Sequence, residues 1–266
     1  MSASPSRSAS LALVVWDFDW SLVNENSDTF VIDQLEPTGT LWRACERKLG
    51  SFGWTQVMDY ALGELFALGM RSENVRSALE AIPVMVGALD AVALARHAGA
   101  HQRLLSDANS EYIRIKLDSL RIASDFRVVE TNGGSWDSSG RLCITPHHQP
   151  PPHGCPNCPP NLCKGRVLAR WLSEVESSSP GFRCLYVGDG SGDVCAAMVL
   201  RSQDVLLARR APHDALLAAC LRRRKEIRAE IVEWGGERDL QGIELTRGFE
   251  NFFKGGDALN SGIKRV

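Results

Sequence analysis

The stretch 14-VVWDFDWSLVNENSD-28 decides the fold. An apolar run from Leu11 to Trp16 ends at two carboxylates, Asp17 and Asp19, which one residue separates. The run is short and β-branched in its middle, which favours a buried strand over a helix. Like charges this close make each other harder to ionise, so such pairs usually share a cation, divide two chemical roles, or both.

The composition fits one large domain or one domain with an inserted module. The chain has 266 residues, is 44% hydrophobic and carries a net charge of −2, which does not indicate nucleic acid or a membrane surface as a partner. No apolar run approaches the ~20 residues of a membrane helix. Residues 1–10 lack the apolar core of a secretory signal and are predicted to be a disordered tail. We therefore expect a cytoplasmic protein with mostly reduced cysteines.

A helical segment follows the first strand. Between about Thr29 and Gly99, apolar residues recur at helical spacing, and proline and glycine interrupt the pattern. We expect four or five helices in this segment and no strand.

Strands alternate with helices in the rest of the chain, which predicts βαβ units and a parallel sheet. The strands are predicted at 102–106, 126–131, 141–145, 182–187 and 204–208, the second and third forming a hairpin. Helices are predicted from about 163, 193 and 212. The sequence thus indicates an α/β core, formed by 11–27 and 100–253, with a helical insertion at 28–99 and a flexible tail at 254–266.

Polar residues gather where the predicted strands end, which is where active sites of such sheets lie. Asp17 and Asp19 end the first strand, 106-SDANS-110 ends the next, and 188-GDGSGD-193 ends a third. Lys164 lies at the start of a predicted helix. We expect these side chains to share one rim of the sheet.

This set of residues suits phosphoryl transfer. Asp17, Asp19 and Asp189 offer the oxygen ligands that Mg²⁺ prefers. A phosphate beside the metal would be held by Ser106, by Lys164 and by the helix start that follows it. One carboxylate can attack phosphorus, and the other can protonate the leaving oxygen and then activate water.

The motifs resemble those of the haloacid dehalogenase superfamily. DFDWS is similar to its first motif, DxDx(T/S), and Ser106, Lys164 and 189-DGSGD-193 resemble the three later motifs in the same order. The resemblance implies a doubly wound, Rossmann-like core with a helical cap inserted between the first and second motifs.

The resemblance also implies residue roles. Asp17 would be the nucleophile, Asp19 the general acid/base, and Ser106 and Lys164 would hold the phosphoryl group. The implied metal ligands are the Asp17 carboxylate, the Asp19 backbone carbonyl and Asp189, with Asp193 in support.

A closer resemblance runs from about Leu11 to Arg210. DFDWSLVNENSD, SDANS, CPNCPPNLCKG and GDGSGD resemble the phosphoethanolamine/phosphocholine phosphatase and pyridoxal phosphate phosphatase family, whose plant relatives include thiamine phosphate phosphatases and a pyrophosphatase. It implies a magnesium-dependent phosphomonoesterase that acts on a small phosphate ester through an aspartyl-phosphate intermediate.

The favoured substrates are phosphoethanolamine and phosphocholine. The resemblance suggests that Asp28 and Asp107 accept a cationic amine, although either residue could instead cap a helix. Pyridoxal phosphate, thiamine phosphate and pyrophosphate are rival substrates, and an aromatic one could stack on residues of the cap, namely Trp42, Phe52, Trp54 and Phe66. The alternative to an enzyme is a non-catalytic module that binds phosphate or a metal ion.

A cysteine-rich pattern and a basic run each have more than one interpretation. The pattern H-x-C-x2-C-x4-C could hold a structural zinc ion, although packing or redox-sensitive thiols are favoured; its residues are His153, Cys155, Cys158 and Cys163. The basic run Arg222–Lys225 is followed by Glu226, Glu230 and Glu233, which predicts the solvated face of one helix. The sequence does not indicate an oligomeric state.

Overall fold

One sheet organises the molecule, whose computed structural model describes residues 11–149, 151 and 153–255. Within those residues seven strands pair in the order β4-β3-β2-β1-β5-β6-β7, and β3–β4 is the antiparallel pair among parallel neighbours. The strands are Ala12–Trp16 (β1), His101–Asn109 (β2), Phe126–Trp136 (β3), Leu142–Thr145 (β4), Arg183–Gly188 (β5), Val205–Arg209 (β6) and Glu230–Trp234 (β7). The α/β fold and the hairpin are confirmed.

Five helices lie between β1 and β2, in the segment that was predicted to be helical. They are Ser27–Leu35 (α1), Thr40–Leu49 (α2), Trp54–Ala67 (α3), Ser72–Ala81 (α4) and Val86–His97 (α5). The later helices are Ser110–Leu120 (α6), Lys164–Ser178 (α7), Val194–Val199 (α8), Ala215–Arg222 (α9) and Ile243–Lys254 (α10).

Helices cover both faces of the sheet, so the core is doubly wound as predicted. Successive side chains of β1 point to opposite faces: Leu13 and Val15 pack with α7, α8 and α9, whereas Val14 and Trp16 pack with α5, α6 and α10. The Trp16 ring stacks on Phe249 of α10 with centroids 4.9 Å apart. The helix α5 lies beside α10, where Thr246 donates a 3.1 Å hydrogen bond to the Gly87 carbonyl.

Two polar tethers join the inserted helices to the rest of the molecule. Buried Lys116 of α6 donates to the carbonyls of Glu80 and Ile82 at the end of α4, at 2.8 and 2.6 Å. Asp59 of α3 accepts from the Arg141 guanidinium at 2.8 Å and from the Ile144 backbone at 2.9 Å. The inserted helices therefore pack on α6 and on the hairpin.

The C-terminal part of the core differs from the prediction. Arg222 ends α9, and Glu230 and Glu233 lie in β7, so the prediction of one continuous helix through these residues was wrong. The segment EIVEW pairs in parallel with β6 and buries Ile231 and Trp234. Its five residues carry two carboxylates and follow a charged run, which hides the strand pattern.

The predicted tails fall largely outside the described residues. The tail 1–10 lies outside them, and so does 256–266, whereas Lys254 closes α10. Among the described helices none is by itself long and apolar enough to cross a membrane, although α4 and α5 pass that test together with an 88° bend between them.

Candidate active site

A buried lysine bridges two aspartates at the carboxyl edge of the sheet. Asp17 follows β1, and Lys164 begins α7. The Lys164 ammonium lies 2.8 Å from Oδ2 of Asp17 and 2.8 Å from Oδ1 of Asp193. The Tyr186 hydroxyl donates to the same Asp193 oxygen at 2.7 Å. All four side chains are buried, so this ion-pair network is shielded from solvent.

Asp193 also holds the loop that follows β5. Its Oδ2 accepts from the backbone N–H groups of Asp189 at 3.2 Å and Gly190 at 3.1 Å. A Cβ atom at Gly188 would lie 2.6 Å from that oxygen, so glycine lets the backbone approach the carboxylate. Both oxygens of Asp193 are thus hydrogen bonded, and this carboxylate fixes the positions of Lys164 and Asp189.

The donor set at this edge fits a hard divalent cation. Asp17, Asp189 and Asp193 each offer a carboxylate oxygen, and these three atoms lie within 4.8 Å of one another. In an octahedral Mg²⁺ site with bonds of about 2.1 Å, ligand oxygens are about 3–4 Å apart. The Asp19 carboxylate lies outside this group, and its Oδ1 accepts from the Ser27 backbone at 3.0 Å.

Burial and neighbouring negative charges raise the pKa values of two of the clustered carboxylates. Burial, followed by the charge of Asp193, raises the pKa of Asp17 well above its usual range. The same two causes raise the pKa of Asp189 to about 8. Burial opposes the charge on Lys164, but Asp17 and Asp193 outweigh it and raise the pKa of the lysine. A bound divalent cation would stabilise the ionised carboxylates.

Asp19 has a pKa suited to proton transfer. Burial raises it to about 7, and the nearby charge of Asp28 acts in the same direction. A group with a pKa near the working pH can both give and take a proton. Asp19 lies in a wide turn, Phe18–Leu22, in which Trp20 adopts a left-handed backbone with a φ of 54°.

Arg209 at the end of β6 holds this turn in place, and sequence analysis did not single it out. Its guanidinium donates to the Trp20 carbonyl and, at 2.6 Å, to Oδ1 of Asn24. The side chain is 7% exposed. A left-handed tryptophan is strained, and these bonds stabilise it. The available signal was an arginine closing the otherwise apolar strand VLLAR.

Ser106 lies on β2, the strand next to β1. Its side chain is buried, and its oxygen accepts from the Ala108 backbone at 3.2 Å. The register pairs Trp16 with Leu104, so Asp17 and Ser106 both follow this pair toward the carboxyl edge.

Asp28 and Asp107 line one small cleft, together with Trp54. Oδ2 of Asp28 accepts from the Trp54 indole at 2.7 Å, and Oδ1 of Asp107 accepts from the Asn161 amide at 3.3 Å. Burial raises the pKa of Asp28 to about 6 and also raises that of Asp107. Asp28 is buried and Asp107 is half-buried, so two carboxylates concentrate negative charge at this cleft.

Neither of these aspartates caps a helix, so the capping alternative was wrong. Asn26 caps α1 by accepting from the Thr29 backbone at 3.0 Å. Asn109 caps α6 by accepting from the Tyr112 backbone at 3.0 Å. Both caps sit two residues away from the predicted positions.

The aromatic residues proposed for stacking occupy different places. Trp54 borders the cleft of Asp28 and also a wider, open cleft of about 240 Å³. Trp42 packs edge-on against Trp54 at 6.1 Å, Phe52 is 52% exposed, and Phe66 lines a separate cleft. The open cleft lies between the start of α3 and the proline-rich loop at 146–160. It is lined by Gly53, Thr55, Gln56, Pro146, His148, Pro159, Pro160 and Asn161.

The cysteine-rich loop forms a cluster that differs from the predicted one. Cys155, Cys158 and Cys163 meet Cys195 of α8, and their four sulfur atoms lie within 4.8 Å of one another. His153 stays outside this group because its ring nitrogens contact the Pro159 carbonyl and the Cys155 backbone N–H.

Comparison with known proteins identifies the family. Residues 12–246 match the profile of the family described as "Putative Phosphatase". Inorganic pyrophosphatase 2 of Arabidopsis thaliana is 31% identical over 200 residues, covering 74% of this chain and 70% of the relative. Pyridoxal phosphate phosphatase of Bos taurus is 29% identical, covering 88% and 95%. Phosphoethanolamine/phosphocholine phosphatase of Homo sapiens is 30% identical, covering 86% of each chain.

Solved structures share the fold. A HAD family hydrolase from Salmonella enterica serovar Typhi superposes with a TM-score of 0.58 at 14% identity, covering 93% of this chain and 72% of that one. A phospho-aspartyl intermediate analogue of phosphoserine phosphatase gives 0.51 at 14% identity, covering 83% and 92%. The matches favour an enzyme over a non-catalytic module. The chain belongs to the "Putative Phosphatase" family, is a phosphatase, and shares the fold of HAD family hydrolases.

Proposed function

We propose that the protein is a Mg²⁺-dependent phosphomonoesterase that hydrolyses phosphoethanolamine or phosphocholine through a phosphoryl group on Asp17. The observation that carries the substrate class is the shared cleft of Asp28 and Asp107, two carboxylates that face the same space. The observation that supports the chemistry is the contact of Lys164 with Asp17 and Asp193.

Asp17 would act as the nucleophile. The Phe18 backbone N–H donates to its Oδ1 at 2.7 Å, and Lys164 contacts its Oδ2, so the carboxylate is held rigidly at the sheet edge. A carboxylate oxygen attacks phosphorus, forming an acyl phosphate as the ester P–O bond breaks. Lys164 and Ser106 would bind the oxygens of the transferred group.

Asp19 would move the proton in both half-reactions. Its protonated carboxyl gives a proton to the departing alcohol oxygen. The resulting carboxylate then takes a proton from a water molecule, whose oxygen attacks the phosphorus on Asp17. This step releases inorganic phosphate and restores both aspartates to their starting forms. A pKa of about 7 allows Asp19 to serve in both directions.

Asp17 and Asp189 would hold the magnesium ion, together with the Asp19 backbone carbonyl, and Asp193 would support them. Bound there, Mg²⁺ neutralises charge on the phosphate and on the clustered carboxylates. The inserted helices, for which we propose the role of a cap, place Asp28 and Trp54 against the leaving group. The two carboxylates and the indole ring that border this cleft would attract a small cationic alcohol by charge and by cation–π contact.

The test is phosphate release from a panel of substrates, with and without Mg²⁺. The panel contains phosphoethanolamine, phosphocholine, pyridoxal phosphate, thiamine phosphate and pyrophosphate. A preference for the two amine esters supports the proposal, and Asp17→Asn should lower turnover by about 10³-fold or more while keeping the fold. A preference for pyridoxal phosphate or thiamine phosphate, which Trp54 at the cleft would favour, overturns the substrate class. Full activity in Asp17→Asn overturns the mechanism.

A further inference from the structure

We propose that Cys155, Cys158, Cys163 and Cys195 form a structural tetrathiolate zinc site that holds the wall of the active site together. Three chain segments supply the ligands: the proline-rich loop gives the first two, the residue before α7 gives Cys163, and α8 gives Cys195. His153 is not a ligand in this proposal. The site is separate from the carboxylates at the edge of the sheet.

The spacing of the sulfur atoms is that of a metal tetrahedron. The Cys155 and Cys195 sulfurs are 3.6 Å apart, and so are those of Cys158 and Cys163. Tetrahedral zinc with bonds of about 2.3 Å separates its sulfur ligands by about 3.8 Å. A disulfide requires about 2.05 Å, so the observed distances exceed a covalent bond and match coordination. The four atoms converge on one point rather than lying in a row, since all six distances are within 4.8 Å.

The surroundings suit thiolate ligands. Cys163 and Cys195 are buried, and the two loop cysteines are partly buried, so the site is shielded but reachable by an ion. Zinc binding would release the thiol protons. Soft sulfur ligands favour zinc over magnesium, which the carboxylates at the edge of the sheet would bind instead.

The position of the site gives it a structural task. Cys163 immediately precedes Lys164, and Cys195 follows Asp193 by two residues. The start of α7 touches α8 closely, since a Cβ atom at Gly165 would lie 2.6 Å from the Cys195 carbonyl. Zinc would therefore lock the two segments that carry the Lys164–Asp193 pair.

The loop held by zinc also borders the open cleft beside Trp54. Pro159, Pro160 and Asn161, between the second and third cysteines, line the open cleft. Asn161 donates to Asp107. A metal crosslink would reduce the conformational freedom of this loop and so help to position Asn161 at the cleft.

The experiment measures zinc in protein purified without chelators from zinc-containing medium. We expect about one zinc per chain, falling below about 0.1 in Cys158→Ser and Cys195→Ser. His153→Ala should keep the metal, and so should Cys143→Ser, which lies outside the cluster. Asp17→Asn should keep it too, so the outcome does not depend on phosphatase activity. Zinc-free, folded protein with two disulfides overturns the proposal, and so does zinc lost in His153→Ala but kept in Cys195→Ser.

Cobalt substitution provides a readout should the cysteine variants fail to fold. Co²⁺ bound by four thiolates in a tetrahedron gives intense visible bands and a sulfur-to-cobalt charge-transfer band. We expect these bands in the wild type and in His153→Ala. Their absence from the cobalt-loaded wild type contradicts a tetrathiolate site.

Discussion

Trp54 donates a 2.7 Å hydrogen bond from its indole to the carboxylate of Asp28, joining α3 to α1 at the mouth of the candidate site. The bond fixes the direction of a carboxylate that is 5% exposed and therefore poorly hydrated. A carboxylate without water gains more from a cationic ligand than an exposed one does. The packing of the inserted helices thus sets the direction of the carboxylate that we propose as a substrate contact.

Replacing Asp28 should weaken the binding of cationic substrates more than that of other substrates. For Asp28→Asn we expect KM for phosphocholine to rise by about tenfold or more, because a charge-assisted contact is lost while the indole bond can persist. KM for pyrophosphate should change little. Steady-state kinetics of both substrates checks this. Asp33→Asn, on the exposed side of the same helix, is the matched control, and an equal rise for both substrates would contradict the assignment.

The raised pKa of Asp28 should make the folded protein less stable as pH increases. Its pKa is about 6 in the fold against an ordinary value of 3.8, so the folded state binds more protons between about pH 4 and 6. Stability therefore falls as pH rises through this window and stays lower above it. Asp28→Asn should stabilise the protein by about 3 kcal/mol at pH 7.5 and by about half of that at pH 5. Urea unfolding at the two pH values measures the difference, and equal gains would refute the assignment.

Removing Arg209 should impair turnover more than substrate binding. In Arg209→Met the turn loses its bonds to the Trp20 carbonyl and to Asn24, so Asp19 is no longer held. We expect kcat to fall by about tenfold or more with a smaller change in KM, together with a stability loss of about 2–4 kcal/mol. Arg210→Met is the control, since Arg210 pairs with Glu244 and with the Gly235 carbonyl instead. A variant at 209 with wild-type kcat would show that the turn needs no such support.

Adding one methyl group at Gly188 should disturb the carboxylate network. In Gly188→Ala the new Cβ would lie 2.6 Å from Oδ2 of Asp193, which has to move. We expect a stability loss of about 2 kcal/mol or more and lower activity. Gly50→Ala is the matched control, because a Cβ there meets nothing within 4 Å and should leave stability unchanged or slightly higher. Thermal unfolding and phosphate release, measured on both variants, compare their stability and activity.

The meeting of Asp17, Lys164 and Asp193 could be anticipated from sequence. Each of them lies at the end of a strand or at the start of a helix in a βαβ pattern, and parallel strands direct such residues to one edge. The convergence of Cys195 with the other three cysteines could not be anticipated, because 32 positions separate it from Cys163 and no local spacing links them. Arg209 was missed because its partners, Trp20 and Asn24, lie far away in the chain.

Secondary structure was hardest to infer at the edge of the sheet. The strand β7 reads EIVEW, with its two acidic residues three positions apart, and it lies shortly after a basic run, so the pattern resembles an exposed helix as much as a strand. Its identity is decided by pairing with β6, which is a tertiary contact. The capping residues were misplaced for a similar reason, since Asn26 and Asn109 each stand two positions from an aspartate that could do the same work.

The hydrogen bonds from Lys116 to the last carbonyls of α4 couple the inserted helices to the sheet during thermal unfolding. Separating the inserted helices from the sheet would break both hydrogen bonds of the Lys116 ammonium, and it would also break the contact of Asp59 with the hairpin. Detachment of these helices alone is therefore costly. Heating should accordingly produce one calorimetric transition in which the inserted helices and the sheet unfold as a single energetic unit.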